Sequence, residues 1–149
     1  MGLNMASLMF VNVVSSEEMI FSGKAEYIIA PALMGKIGIY PRHVPLISKL
    51  KSGVLRLQLP DQTEQVVLAI SGGFLEVQAN HVTVLADVVE RTTELDEIKL
   101  LEQKKQAEAR IKHAGASISE DVAKAYASLE IAIAQLKAMD YIKKNSKRS

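Results

Sequence analysis

Val54-Leu55-Arg56-Leu57-Gln58-Leu59 alternates without a break. Leu55, Leu57 and Leu59 share one face, and Arg56 and Gln58 share the other. A period of two places successive side chains on opposite faces of a strand, so this segment reads as a strand with one buried and one wet face. Pro60-Asp61-Gln62 turns the chain, and Gln65 to Ile70 is the next strand. Working outward, Met9 to Val14 opens a strand and Ser15-Ser16-Glu17-Glu18 breaks it. Met19-Ile20-Phe21 resumes, Ser22-Gly23 reads as a turn, and Ala25 to Ile29 and Gly38 to Tyr40 read as further strands. Phe74 to Gln78 and His81 to Ala86 form a hairpin about Ala79-Asn80. Short strands at this spacing, with no helical pattern between them, predict a β-sandwich or flattened barrel.

The pattern changes near residue 90. Beyond it there is no proline, and alanine and charge recur at helical spacing. Thr93 reads as a cap with Asp96 in a box-like role, and Ser117 with Glu120 repeats the pattern. Glu94, Asp96 and Glu97 precede Lys104, Lys105, Arg110 and Lys112, which suits the helix dipole. Gly115 supplies a stop. Val122, Ala125, Leu129, Ala132, Leu136 and Met139 form one apolar seam on the second helix. The short connection predicts an antiparallel pair. The expected class is therefore α+β, with a sandwich head over 1–89 and a C-terminal antiparallel two-helix hairpin over 90–149.

The seam is poor in large side chains. Full burial of a large aliphatic contributes roughly 1.5–3 kcal/mol. Only Val122, Leu129, Ile133 and Leu136, with partners such as Leu95, Ile98 and Leu101, offer that. Such a hairpin is marginal alone and must dock. Two arrangements follow: a permanent dock on the head, or a weak one that lets the hairpin relocate. Composition does not choose between them.

Several function classes are disfavoured. The 149 residues carry a formal net charge of +1, which disfavours nucleic-acid binding through a broad basic face. There is no cysteine, so disulfides and thiolate metal sites are excluded. No apolar run approaches the roughly 20 residues of a membrane span. Met1 to Ser7 lacks the basic and apolar stretches of a secretion signal. His43, His81 and His113 fall in a loop, at a strand start and at a helix end, without metal-ligand spacing. Ala69-Ile70-Ser71-Gly72-Gly73 brushes the nucleophile-elbow pattern, but strand rather than helix follows it. A small Ser71 hydrolase is thus one rival class, and a soluble adaptor using an exposed loop is another. Gly72-Gly73 reads as a tight turn between strands.

Gly35-Lys36-Ile37-Gly38-Ile39-Tyr40-Pro41-Arg42-His43-Val44-Pro45-Leu46-Ile47 is stiffened by proline and glycine and presents Tyr40, His43 and Leu46 on a loop. This segment resembles the G-x-x-G-I-x-P-x-H-x-P-L signature of the F-type ATP synthase epsilon subunit. Ser71 to Val77, followed by Val82 to Asp87, is similar to that family's second signature. Val13-Val14-Ser15 with Phe21-Ser22-Gly23 matches its opening, and Leu95-Asp96-Glu97 its first helix start. The resemblance runs in order over almost the whole chain.

It implies a non-catalytic rotor subunit of a bacterial proton-driven ATP synthase, held peripherally on the cytoplasmic face of the plasma membrane. The head is expected to bind the gamma shaft and the c-ring through Gly38, Tyr40, Pro41, His43 and Pro45. The family often carries an acidic residue where this chain has Lys36. The tail is expected to rest as a compact hairpin, or to extend along gamma into the alpha/beta hexamer and block ATP hydrolysis. Lys104, Lys105, Arg110, Lys112, Lys143 and Lys144 would then meet an acidic segment of beta. Some members bind ATP through I/L-D-x-x-R-A and two arginines on the second helix. Here Leu95-Asp96 is followed by Lys99 and Leu100, and the arginine positions align near Ile131 and Gln135. Lysine lacks arginine's bidentate fork, so ATP binding is expected to be weak or absent and no cofactor is implied.

Overall fold

The computed structural model describes residues 7–91, 97–115 and 119–148. Eight strands precede two helices, so the chain is a β-sandwich followed by a helical hairpin. The strands are β1 (Met9–Val14), β2 (Met19–Ala25), β3 (Tyr27–Ala32), β4 (Gly35–Ile39), β5 (Leu46–Gln58), β6 (Val66–Gln78), β7 (His81–Ala86) and β8 (Val89–Arg91). Their order is β2-β1-β7-β6-β5-β3-β4, with β8 paired to β6. β1 and β7 run parallel; the other pairs are antiparallel.

β5 and β6 carry the sheet from one layer to the other. Both are 13 residues long and pair along most of their length. The first half of β6 also pairs with β8 and the second half with β7. Ser71-Gly72-Gly73 is therefore not a turn; β6 bends through it. Gly72 has φ +100° and Gly73 φ +137°, where a side chain is strained. A Cβ on Gly73 would lie 1.9 Å from the Leu85 carbonyl oxygen. Closely packed backbone is the reason glycine stands here. Ser22-Gly23 is likewise not a turn: β2 runs through it, with Gly23 opposite Val11.

The core lies between the layers. Val11, Val13, Ile28, Leu55, Leu57, Leu68, Ile70, Leu75, Val82 and Val84 are all fully buried in it. The leucine face of Val54–Leu59 thus points inward at Leu55 and Leu57, as the alternation predicts. The opposite face is not simply wet. Val54 and Arg56 are half-buried there, and β6 is buried on both faces from Val67 to Ile70. A helix covers that surface.

The helices are α1 (Glu97–Ala114) and α2 (Glu120–Ser146). α1 stops where Gly115 takes φ +58°. Ser119 caps α2, its hydroxyl accepting from the Val122 amide. The cap is therefore Ser119; Ser117, Thr93, Glu94, Leu95 and Asp96 lie outside the described residues. Glu97 at the start of α1 forms an ion pair with Lys143 near the end of α2, as an antiparallel pair requires.

Each helix has a seam at alternating steps of three and four. On α1 it is Leu100, Lys104, Ala107, Ile111 and Ala114, all buried or half-buried. On α2 it is the stripe from Val122 to Met139. Ile98 and Leu101 do not join it; Ile98 is 72% exposed. α2 also carries a second stripe, Ile131, Ala134, Ala138 and Tyr141, which packs on Val54, Val67 and Ala69 of β5 and β6. This stripe is displaced two residues from the first, about 200° around the helix, so α2 serves two partners on opposite sides. The expected 89/90 boundary falls inside β8, whose Arg91 pairs with Leu68.

Candidate functional site

Two surfaces stand out: the loop that follows β4, and the dock between α2 and the head.

The loop is built to hold still. Pro41 and Arg42 form a turn in which the His43 amide donates to the Tyr40 carbonyl at 3.2 Å. Arg42 sits at φ +67°, an uncommon conformation for a non-glycine residue. The Arg42 amide donates to the Asn80 side-chain oxygen at 2.6 Å. Asn80 lies in the β6–β7 turn, where Ala79 and Asn80 both have positive φ, as a two-residue hairpin turn of the primed type requires. Its carbonyl accepts from the Phe10 amide at 2.8 Å, so one residue ties this loop to β1.

His43 Nδ1 lies 2.7 Å from the Val44 carbonyl oxygen. A carbonyl only accepts, so Nδ1 is the donor in this contact. The Tyr40 ring stacks on Tyr27 with centroids 5.3 Å apart. Gly38 leaves room for it: a Cβ there would meet Tyr40 at 3.3 Å and Ile29 at 3.4 Å. Tyr40, Val44, Pro45 and Ile47 are exposed, and Pro41 and His43 are half-buried. Of the five positions marked in the sequence, Gly38 lies in β4 and Tyr40, Pro41, His43 and Pro45 lie on the anchored loop after it. At the other end of β4, the β3–β4 turn exposes Leu33 and Met34, which sequence reasoning missed. Two adjacent large apolar residues before a glycine were the available signal.

The dock is narrow. Ala134 and Ala138 meet Val67 and Ala69. Tyr141 adds a polar clasp. The Arg56 guanidinium lies 4.5 Å from the Tyr141 ring centroid, and its Nη1 donates to the phenol oxygen at 2.5 Å. The phenol donates to Gln65 Oε1 at 2.7 Å, and Gln65 Nε2 donates to the Tyr27 hydroxyl at 2.9 Å. Ser52 donates to Glu130 at 3.2 Å. Sequence reasoning missed Tyr141 and Gln65, because no local spacing joins residues from α2, β3, β5 and the loop before β6.

The basic tail residues are dispersed. Lys104 pairs with Glu108, Lys143 with Glu97, and Lys144 with Asp140. Lys105, Arg110 and Lys112 are exposed on α1, as is Lys99. Ile131 packs on the head, and Gln135 is 8% exposed; neither position supplies a cation. Ser71 is no elbow nucleophile: it lies within β6, and its hydroxyl accepts from the Val88 amide at 2.9 Å. Among the described residues, no helix is long and apolar enough to cross a membrane.

The model of the ATP synthase delta/epsilon chain β-sandwich domain matches residues 8–92. The chain is 51% identical over 140 residues to the ATP synthase epsilon chain of Chromobacterium violaceum, covering 94% of this chain and 99% of that one. It is 48% identical to that of Laribacter hongkongensis, over 93% of this chain and 97% of the relative. Among solved structures, it is similar to a chain of the Euglena gracilis mitochondrial ATP synthase OSCP/F1/c-ring structure. The TM-score is 0.74 at 21% identity, covering 89% of this chain and 81% of that one. A chain of the Tetrahymena thermophila mitochondrial ATP synthase central stalk/c-ring structure has a TM-score of 0.57 at 14% identity, covering 88% and 96%. At those identities the likeness is one of fold.

Proposed function

This chain belongs to the ATP synthase delta/epsilon-chain family, and on that premise we propose that it is the non-catalytic rotor subunit of a bacterial F-type ATP synthase. In this reading the head joins gamma to the c-ring in the central stalk. The helical tail restrains ATP hydrolysis by leaving the head and entering the alpha/beta hexamer. The complex holds the chain on the cytoplasmic face of the plasma membrane while protons drive ATP synthesis.

The observation that carries the regulatory part is the narrowness of the dock. α2 rests on the head through two alanines, Ile131 and Tyr141, while α1 packs against α2. A dock of this size is held by a few kcal/mol, the range in which a partner's competing contacts shift a population. The anchored loop supports the rotor part. Tyr40, Pro41, His43 and Pro45, with Gly38 beneath, present an apolar and aromatic edge on a rigid base, the composition of an interface centre. Lys105, Arg110 and Lys112 are already exposed for an acidic partner; Lys143 and Lys144 must first leave Glu97 and Asp140.

Truncation after Arg91, which keeps β8 in the sheet, tests both parts. The truncated chain should co-purify with gamma from solubilised membranes, and ATP hydrolysis by the assembled complex should rise severalfold. Unchanged hydrolysis would refute the inhibitory role. Loss of co-purification would refute the assignment of the partner contacts to the head.

A further inference from the structure

The second stripe of α2 ends in a polar clasp that its small apolar residues do not require. Arg56, Gln65, Tyr27 and Tyr141 are all half-buried. The Tyr141 hydroxyl accepts from Arg56 and donates to Gln65, which in turn donates to Tyr27. The phenol thus uses both its donor and an acceptor site on head groups. The guanidinium also lies over the ring, a cation–π contact.

Half-burial makes this clasp reversible. When the tail leaves, Arg56 and Gln65 turn to water rather than remaining as orphaned buried groups, so no desolvation penalty locks the docked state. The two alanines fit many sliding positions; two directed hydrogen bonds and a ring stack fit one.

We propose that Tyr141 is the positioning residue that latches the tail to the head, its hydroxyl seated in a socket of Arg56, Gln65 and Tyr27. The proposal rests on the reading that the tail leaves the head, and it names what holds it there. The outer wall of the socket is Tyr40, stacked on Tyr27, so the latch lies one ring from the loop assigned to the rotor partners.

The chain has no cysteine, so spin labels at Lys24→Cys on the head and Lys105→Cys on the tail report docking in the full-length protein. Tyr141→Phe keeps the ring and removes the hydroxyl. It should raise the released-to-docked ratio about tenfold. In an Arg56→Gln background the same change should have less than about a threefold effect, because the acceptor's partner is already gone. In the assembled complex Tyr141→Phe should lower ATP hydrolysis. Ala138→Asp serves as a release control. If it frees the tail and Tyr141→Phe leaves the ratio within about twofold of the parent, the latch is overturned and the functional reading survives. If neither frees the tail, both are overturned.

Discussion

Ala138→Asp puts the detachable tail to a quantitative test. Ala138 is 0% exposed and packs with Ala134, Ile131 and Tyr141 on Val67 and Ala69. A carboxylate on so short a side chain would face apolar surface, a burial that costs several kcal/mol unless the group is paired. The dock itself is of similar size. Ile131 and Tyr141 are half-buried and contribute roughly 1 kcal/mol each, and the two alanine methyls roughly 0.8 kcal/mol each, before ordering entropy is subtracted. The penalty therefore matches everything the apolar dock supplies, and the tail should leave rather than strain the head.

The head's own core lies elsewhere, between the layers, and does not include Ala138. Calorimetry and circular dichroism should therefore show the helix and sheet signals melting in separate transitions. Hydrogen exchange should show faster exchange over the second half of α2. The assembled complex should hydrolyse ATP more slowly, since released tail is available to extend. If the tail were a permanent part of one cooperative unit, a loss of about 3 kcal/mol would lower the single transition by roughly 6–12 °C for a chain of this length. That outcome, with helix and sheet signals melting together, would refute the argument.

Gly73→Ala places a Cβ 1.9 Å from the Leu85 carbonyl oxygen at φ +137°, so the head should lose at least about 3 kcal/mol, visible as a large drop in Tm or loss of folded protein. Asn80→Ala removes the acceptor for the Arg42 amide; it should lower Tm by only a few degrees while clearly weakening co-purification with gamma and the c-ring. Mg-ATP titrated to millimolar concentration should give no saturable heat, because Ile131 packs on the head, Gln135 is buried and neither carries a cation; saturation near micromolar levels would refute this.

The hairpin was readable because its first seam repeats at steps of three and four, and the head because Leu55 and Leu57 alternate with Arg56 and Gln58. What escaped reading has physical causes. Gly72-Gly73 and Ser22-Gly23 carry turn composition, yet glycine also lets a strand bend or pass close to another backbone, and only the pairing of β6 with β5, β7 and β8 decides between these uses. The second stripe of α2 was hidden by its own geometry. A helix apolar on two opposite sides looks evenly mixed, and alanine marks a close approach as readily as a solvent face. The 40–47 loop announced itself through proline, glycine and aromatics. Its anchor, Asn80, did not, since an Asn in a hairpin turn is ordinary until its side chain is seen to accept from Arg42.

The two stripes also fix the order of events. Among the described residues α1 is packed on α2, and it is α2 that shares an apolar cluster with the strands. Loss of the head contacts leaves the first seam intact, so the hairpin should come away whole. Opening it then requires separating Leu100, Ala107 and Ile111 from the stripe running from Val122 to Met139, and parting Lys143 from Glu97. These contacts are distinct in space and chemistry. Undocking and unfolding of the tail are therefore separate equilibria, and a substitution on one stripe should move one without the other. A helix held permanently on the head would gain nothing from a face of alanines. Small side chains there allow close approach while keeping the hydrophobic contribution low, and leave a directed contact at Tyr141 to decide where the helix rests.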